Sequence, residues 1–318
     1  MLTHVQICDV ALRDGLQNLS SFVPTQTKTS LLRRLVACGV KELEVTGFVH
    51  PRAVPQFSDA EAVLRAALDQ PGVLIKSLIP NRKGAERALD TGAKQLAFVF
   101  SASEVHNRSN VNMTPDQSLE QLGAIVELLR SRSDVGLQAD LGTTFGYHQD
   151  PVSLEVIESL TEKIIGLGID QIMYCDTTGL GDPLRVEALV KRIRPAYPEL
   201  TFGFHFHDTY GTGIANCVKA LECGVGYFES SVSGLGGCPF SINASGNVAT
   251  EDLAWIMEKM GVDTGIDLPG LVETASWIQQ EILRGGLITS RVYNALRGLD
   301  QKGNAACETI PSRDRTVL

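Results

Sequence analysis

Short apolar runs rich in β-branched and aromatic residues recur along the chain. Each gives way to a stretch in which apolar residues return every three or four positions. The runs predict strands at 5–12, 42–48, 73–79, 95–100, 135–141, 171–175, 201–207 and 227–232. The longer period predicts helices near 25–38, 59–68, 83–91, 115–131, 153–167, 183–196 and 213–223. Gly39, Gly92, Gly168 and Gly224 stand where a helix stops before the next strand, the position that favours glycine. Two further helical stretches, 251–260 and 268–283, follow the eighth strand. Eight strand–helix units with short connections predict an α/β fold, the (β/α)8 TIM barrel, which needs ~250 residues. A doubly wound sheet would compete, but no G-x-G-x-x-G follows the first strand. With no low-complexity linker in view, the expectation is one catalytic domain over 1–300, including the C-terminal helical extension, and a flexible tail over 301–318.

The stretch from Phe202 to Gly211 concentrates the chemistry. Its alternation puts His205 and His207 on one side of a strand and Phe204 and Phe206 on the other. Two imidazoles so placed can reach one metal ion, although a pair of structural histidines on a buried strand would read the same way. A barrel of this kind carries its site at the C-terminal ends of the strands. There stand Arg13-Asp14-Gly15-Leu16-Gln17-Asn18, Glu44 inside Leu43-Glu44-Val45-Thr46-Gly47-Phe48, Asp176-Thr177-Thr178-Gly179, and the stretch from Ser233 to Asn247. Taken singly, these could be a surface turn, half of a buried ion pair or a helix cap. Together on one rim they point to a site, with Gln17, Thr46, Gly47 and Thr178 expected against the substrate.

An ion held by Asp14, His205, His207 and the amide oxygen of Asn247 would have a mixed nitrogen and oxygen shell. That shell suits Mg²⁺ or Mn²⁺ better than zinc, since no thiolate contributes. The His-x-Asp spacing common in non-haem iron sites is missing, because Asp208 directly follows His207. Cys238 follows two glycines that would let its thiol swing over the barrel mouth as part of a lid. A loop cysteine of no consequence and a phosphate-cradling glycine run are the alternatives.

Composition narrows the setting. The chain has 318 residues, 43% hydrophobic and 20% charged, as a globular enzyme does. Its net charge of −9, with no Lys/Arg cluster, argues against nucleic acid and anionic membranes as partners. No apolar run approaches a membrane span, and the first residues lead straight into a strand, with no signal or transit segment expected. Seven scattered cysteines read as core residues in a reducing compartment, and the cytoplasm is the expected location.

The Arg13–Asn18 motif, His205-Phe206-His207-Asp208-Thr209-Tyr210-Gly211, Ser233-Gly234-Leu235-Gly236-Gly237-Cys238-Pro239 and the run from Ala244 to Leu253 together resemble the 3-hydroxy-3-methylglutaryl-CoA (HMG-CoA) lyase family. The resemblance extends to about residue 296. The cysteine-loop motif belongs to these lyases, while the related isopropylmalate, homocitrate and citramalate synthases share only the Arg-Asp pair and the histidines. The resemblance implies a metal-dependent barrel that cleaves an acyl-CoA substrate to acetyl-CoA and acetoacetate. It implies Asp14, His205, His207 and Asn247 as metal ligands, Arg13 as enolate stabiliser, Glu44 and Asp176 as active-site acids, and Cys238 as the loop cysteine. A homodimer or higher homo-oligomer is expected.

The chain departs from the family pattern at Ala11-Leu12, where Gly-Pro is usual, at Gly47, where Ser is usual, and at Thr144-Phe145-Gly146-Tyr147, where Gly-Cys-Pro-Tyr is usual. These departures predict more room beside Glu44 and a substrate altered at its 3-substituent or free carboxylate arm, such as a longer 3-alkyl or citramalyl-CoA-like thioester. A synthase condensing acetyl-CoA with a 2-oxo acid is the rival enzyme, and a binding barrel without turnover the rival class.

Overall fold

A computed structural model describes residues 2–236 and 246–301. Among these, eight parallel strands close into a barrel in sequence order: β1 Gln6–Asp9, β2 Glu42–Gly47, β3 Leu74–Ile79, β4 Gln95–Ser101, β5 Gly136–Gly142, β6 Gln171–Asp176, β7 Thr201–Phe206 and β8 Tyr227–Ser230. Closure is made by β1, which pairs Asp9 with Leu43 on one side and with Ser230 on the other. The surrounding helices are α1 Thr25–Ala37, α2 Ala60–Leu68, α3 Arg82–Thr91, α4 Glu104–Val111, α5 Pro115–Leu129, α6 Leu154–Gly166, α7 Pro183–Ala196 and α8 Gly213–Glu222. Beyond the eighth strand come α9 Thr250–Lys259, α10 Leu268–Glu281 and α11 Arg291–Gln301. No helix among the described residues is long and apolar enough to cross a membrane.

The main hydrophobic core lies between strands and helices. Leu43 and Val45 of β2 and Leu31, Leu32 and Leu35 of α1 belong to it, and all are buried. On β7 the alternation holds as expected, with Phe204 stacked on Phe206 at a centroid distance of 5.0 Å while His205 and His207 take the other face.

Three elements differ from the sequence reading. The first strand stops at Asp9, and residues Ala11–Gly15 form a wide helical turn instead of continuing it. Asp9 causes the break, because its carboxylate accepts hydrogen bonds from the Ala11 and Val232 amides (2.9 and 2.8 Å) and from the Thr250 hydroxyl (2.7 Å). The turn sits tightly under the loop after β8, where a Cβ on Gly15 would lie 2.8 Å from Leu235 Cβ. Helix α4 was not expected. It is nucleated by the Ser103 hydroxyl, which accepts from the His106 amide, and it has no apolar stripe of its own. Helix α11 was likewise unforeseen. Asp252 anchors its start, accepting from Ser290 Oγ and from the amides of Arg291 and Val292. The tail expected over 301–318 lies, from residue 302 on, outside the described residues.

Candidate active site

A cavity of about 530 Å³ opens at the C-terminal end of the barrel. Its wall carries Arg13, Asp14 and Gln17 from the turn after β1, together with Asp140, Cys175, Thr177, His205, His207 and Gly236. Because side chains alternate along a strand, only every second residue of β5, β6 and β7 faces inward.

One ligand atom each from Asp14, His205 and His207 lies within 4.8 Å of the other two, the one such group among the described residues. His207 Nε2 is 3.9 Å from Asp14 Oδ2. His205 Nδ1 is hydrogen-bonded to Glu229 Oε2 at 2.9 Å. Asn247 Nδ2 donates to Asp14 Oδ2 (2.7 Å) and to the Leu235 carbonyl (2.8 Å), leaving Asn247 Oδ1 buried without a partner. An orphaned buried acceptor costs stability unless something meets it, and a cation shared with Asp14 and the histidines would do so. Gly236 makes this crowding possible. With φ +106° it brings its backbone so close that a Cβ would stand 2.4 Å from Asn247 Nδ2 and 3.0 Å from Asp14 Oδ2.

Electrostatics favour the ligand forms of Asp14 and His207. Burial alone would raise the Asp14 pKa, but Arg13 and the two histidines outweigh it and hold the carboxyl below its usual range. Burial and then the charge of His205 lower His207 to about 4, so its imidazole is neutral at neutral pH, as metal ligation requires. For His205 burial opposes protonation, while Glu229 and then Asp14 overcome it and raise the pKa. Two imidazoles, a carboxylate and an amide oxygen fit a divalent cation.

Arg13 is buried and gripped from two sides, Nε by Glu44 Oε2 and Nη1 by Asp14 Oδ1, both at 2.5 Å. Burial disfavours its charge, but Glu44 more than compensates and keeps it protonated. Glu44 therefore stands behind Arg13, away from the cavity wall.

Besides Glu44, four expected positions fall elsewhere. Asp176 points away from the cavity, since the inward residue at the end of β6 is Cys175. Its carboxylate accepts from the Leu180 and Gly181 amides at 2.9 Å each, the cap-like alternative, and burial raises its pKa to about 6. Thr178 likewise donates to the Gly146 carbonyl (3.0 Å), and Thr177 takes its place on the wall. Thr46 is buried and lines no part of the cavity. Gly47 opens no extra space, because a Cβ there would meet the Phe57 ring at 3.0 Å. Cys238 lies outside the described residues.

Sequence reading missed Asp140, Ser101, His106 and Glu229. Burial, and after it the charges of Glu229 and Glu44, push the Asp140 carboxyl up to about 8. The signal was available in the alternation of Gln138-Ala139-Asp140 and Tyr227-Phe228-Glu229, which sets polar residues on the inward face.

A closed parallel barrel whose mouth gathers two imidazoles, a carboxylate and a clamped arginine defines a TIM-barrel enzyme with a site fit for a divalent cation. The chain belongs to the HMGL-like family, whose model matches residues 4–278. It is 36% identical over 280 residues to the hydroxymethylglutaryl-CoA lyase YngG of Bacillus subtilis, covering 87% of this chain and 93% of that one. A crystal structure of the Bacillus subtilis HMG-CoA lyase superposes with a TM-score of 0.88 at 34% identity, over 93% of this chain and 100% of that one. An HMG-CoA lyase from Acinetobacter baumannii, solved in complex with coenzyme A and 3-methylmalate, gives a TM-score of 0.86 at 34% identity over 98% of both chains. This chain is accordingly an enzyme of the lyase class.

Proposed function

We propose that this protein is a divalent-metal-dependent carbon–carbon lyase that cleaves 3-hydroxy-3-methylglutaryl-CoA, or a close 3-hydroxyacyl-CoA analogue, to acetyl-CoA and a 3-oxo acid such as acetoacetate. The observation that carries the reading is the Asp14–His205–His207 cluster sharing one cavity with the buried Arg13. Asp14, His205, His207 and Asn247 would hold the ion, taken as Mg²⁺ or Mn²⁺. When bound, the ion supplies positive charge that lowers the pKa of the 3-hydroxyl group and orients it. Transfer of the hydroxyl proton to water lets the C3–O bond become a carbonyl as C2–C3 breaks, and the bonding pair moves onto the thioester as an enolate. Arg13, fixed by Glu44 and Asp14, offers a preorganised cationic donor to that enolate oxygen. Cys238 is proposed as the acid that protonates the enolate carbon, releasing acetyl-CoA.

Two neighbouring substrates stay in contention. The Acinetobacter baumannii relative was crystallised with coenzyme A and 3-methylmalate, a methyl-branched hydroxy diacid, which favours keeping a citramalyl-CoA-like thioester beside the glutaryl one. The free cysteines among the described residues support the cytoplasm as location, and a homo-oligomer of two or more copies completes the reading. The deciding experiment is a coupled assay of acetyl-CoA release over a panel of 3-hydroxyacyl thioesters, with and without Mn²⁺ or Mg²⁺. Metal-dependent turnover of the methylglutaryl compound is expected. If it exceeds every analogue in kcat/KM by more than ~10³-fold, the altered-substrate idea falls. Condensation of acetyl-CoA with a 2-oxo acid, without cleavage, would replace the lyase with the synthase.

A further inference from the structure

Beneath the cavity, the inside of the barrel is polar where side chains normally pack as an apolar core. Lys76 is fully buried there, with Nζ 3.0 Å from Glu229 Oε1, Glu42 Oε1 and Gln138 Oε1, and 2.7 Å from the Tyr227 hydroxyl. Gln138 Nε2 also donates to Glu229 Oε1 at 3.2 Å. One oxygen of Glu229 is thereby committed to this cluster. The other faces His205 Nδ1 at 2.9 Å. A continuous polar path thus runs from mid-barrel to one member of the cation cluster and stops there, because His207 Nδ1 is buried with no partner.

A buried ion pair is seldom more stable than apolar residues of the same volume, so stability alone is a weak reason for this cluster. Orientation is a better one. Imidazole ligands ordinarily have their second nitrogen fixed by an acceptor, which selects the tautomer and the ring plane. We propose that Glu229, clamped by Lys76 and Gln138, is the positioning residue that holds His205 as the Nδ1–H tautomer and presents Nε2 to the cation. The two histidines are then inequivalent: His205 is pre-set by the barrel interior, whereas the Nδ1 of His207 meets no acceptor. This inference rests on the metal reading above.

The test begins with the unaltered protein. Side-chain ¹⁵N NMR of histidine-labelled, Mg²⁺-saturated enzyme, with His205→Asn used to assign the signal, must show the Nδ1–H tautomer at His205. The Nε2–H tautomer there overturns the inference whatever the variants do. Mn²⁺ affinity, read by electron paramagnetic resonance, should weaken 10–100-fold in Glu229→Gln while thioester KM at saturating Mn²⁺ moves less than about threefold. The charge-balanced pair Lys76→Met with Glu42→Gln, which keeps Glu229 and its Gln138 contact but removes the Lys76 clamp, should weaken it in the same direction. Unchanged Mn²⁺ affinity in folded Glu229→Gln overturns the positioning role. Absence of Mn²⁺ binding in the unaltered protein would instead remove the metal reading, and this inference with it.

Discussion

Arg13 shows how much a single side chain depends on its fork. Its Nε and Nη1 engage two different carboxylates at 2.5 Å, Glu44 and Asp14, a geometry that lysine, a point charge on a flexible stem, does not reproduce. Arg13→Lys is therefore expected to lower kcat by ~10²-fold or more, the usual size of one lost transition-state donor. Mn²⁺ stoichiometry should be unchanged, because the lysine charge still accompanies Asp14. Steady-state kinetics with elemental analysis separates the two effects, and near-normal kcat would dismiss Arg13 as the enolate's partner. At this scale the sequence was a good guide wherever period-two alternation was applied, as at His205 and His207. It misled at Asp176 and Thr178, where closeness to the end of a strand was read as facing the cavity. One residue of offset turns a side chain to the opposite face, so Cys175 and Thr177 line the wall and their neighbours staple the loop.

Among the elements, most with an apolar stripe were legible, while α4 and α11, whose starts are fixed by polar contacts, were not. Helix α4 has its exposed Val105 in its first turn and no periodic apolar face, and α11 begins on the Asp252 carboxylate, 39 residues earlier in the chain than Arg291. The short β1 is the same case, since the apolar run continues to Leu12 and only the carboxylate of Asp9 breaks the strand. The contacts of Asp252 with the start of α11, and of Asp9 with Val232 and Thr250, join residues far apart and leave no local pattern. Asp252 also places α11 beside the site, because Arg291 Nη1 meets Asp208 Oδ2 at 2.7 Å, next to His207. Replacing Asp252 with Ala removes three acceptor contacts from the start of this helix and should cost ~1–3 kcal/mol. Limited proteolysis should then release the C-terminal helix earlier than in the unaltered protein. Identical digestion of the two proteins would show that α11 is held by its apolar face and Tyr293 instead.

Over the whole molecule, buried carboxyls set how stability follows pH. Burial raises Glu251 and Asp140 to about 8 and Asp9 and Asp176 to about 6. Such groups keep protons in the folded state that the unfolded chain has released, so they stabilise the fold at low pH and lose that contribution as pH rises through 6 and 8. Asp14 and Glu229 are shifted the other way, Asp14 because Arg13 overrides burial and Glu229 because Lys76 does. Their contribution is present above the ordinary carboxylate range and disappears on acidification. Stability should therefore peak in mildly acidic solution and decline toward pH 8.5. Glu251, whose two oxygens both accept from the Ser233 amide, is the group to alter. Urea melts of Glu251→Gln should fall less between pH 6 and 8.5 than those of the unaltered protein, and parallel curves would assign the decline to other groups. The pairing of Asn247 with Asp14 has a consequence for biosynthesis. These partners stand 233 residues apart, so at ordinary translation rates Asp14 waits roughly 10–50 s for Asn247 to be made. A nascent chain lacking its last quarter holds Asp14, His205 and His207 but not Asn247, and the ribosome must pass three quarters of the chain before the proposed cation site is complete.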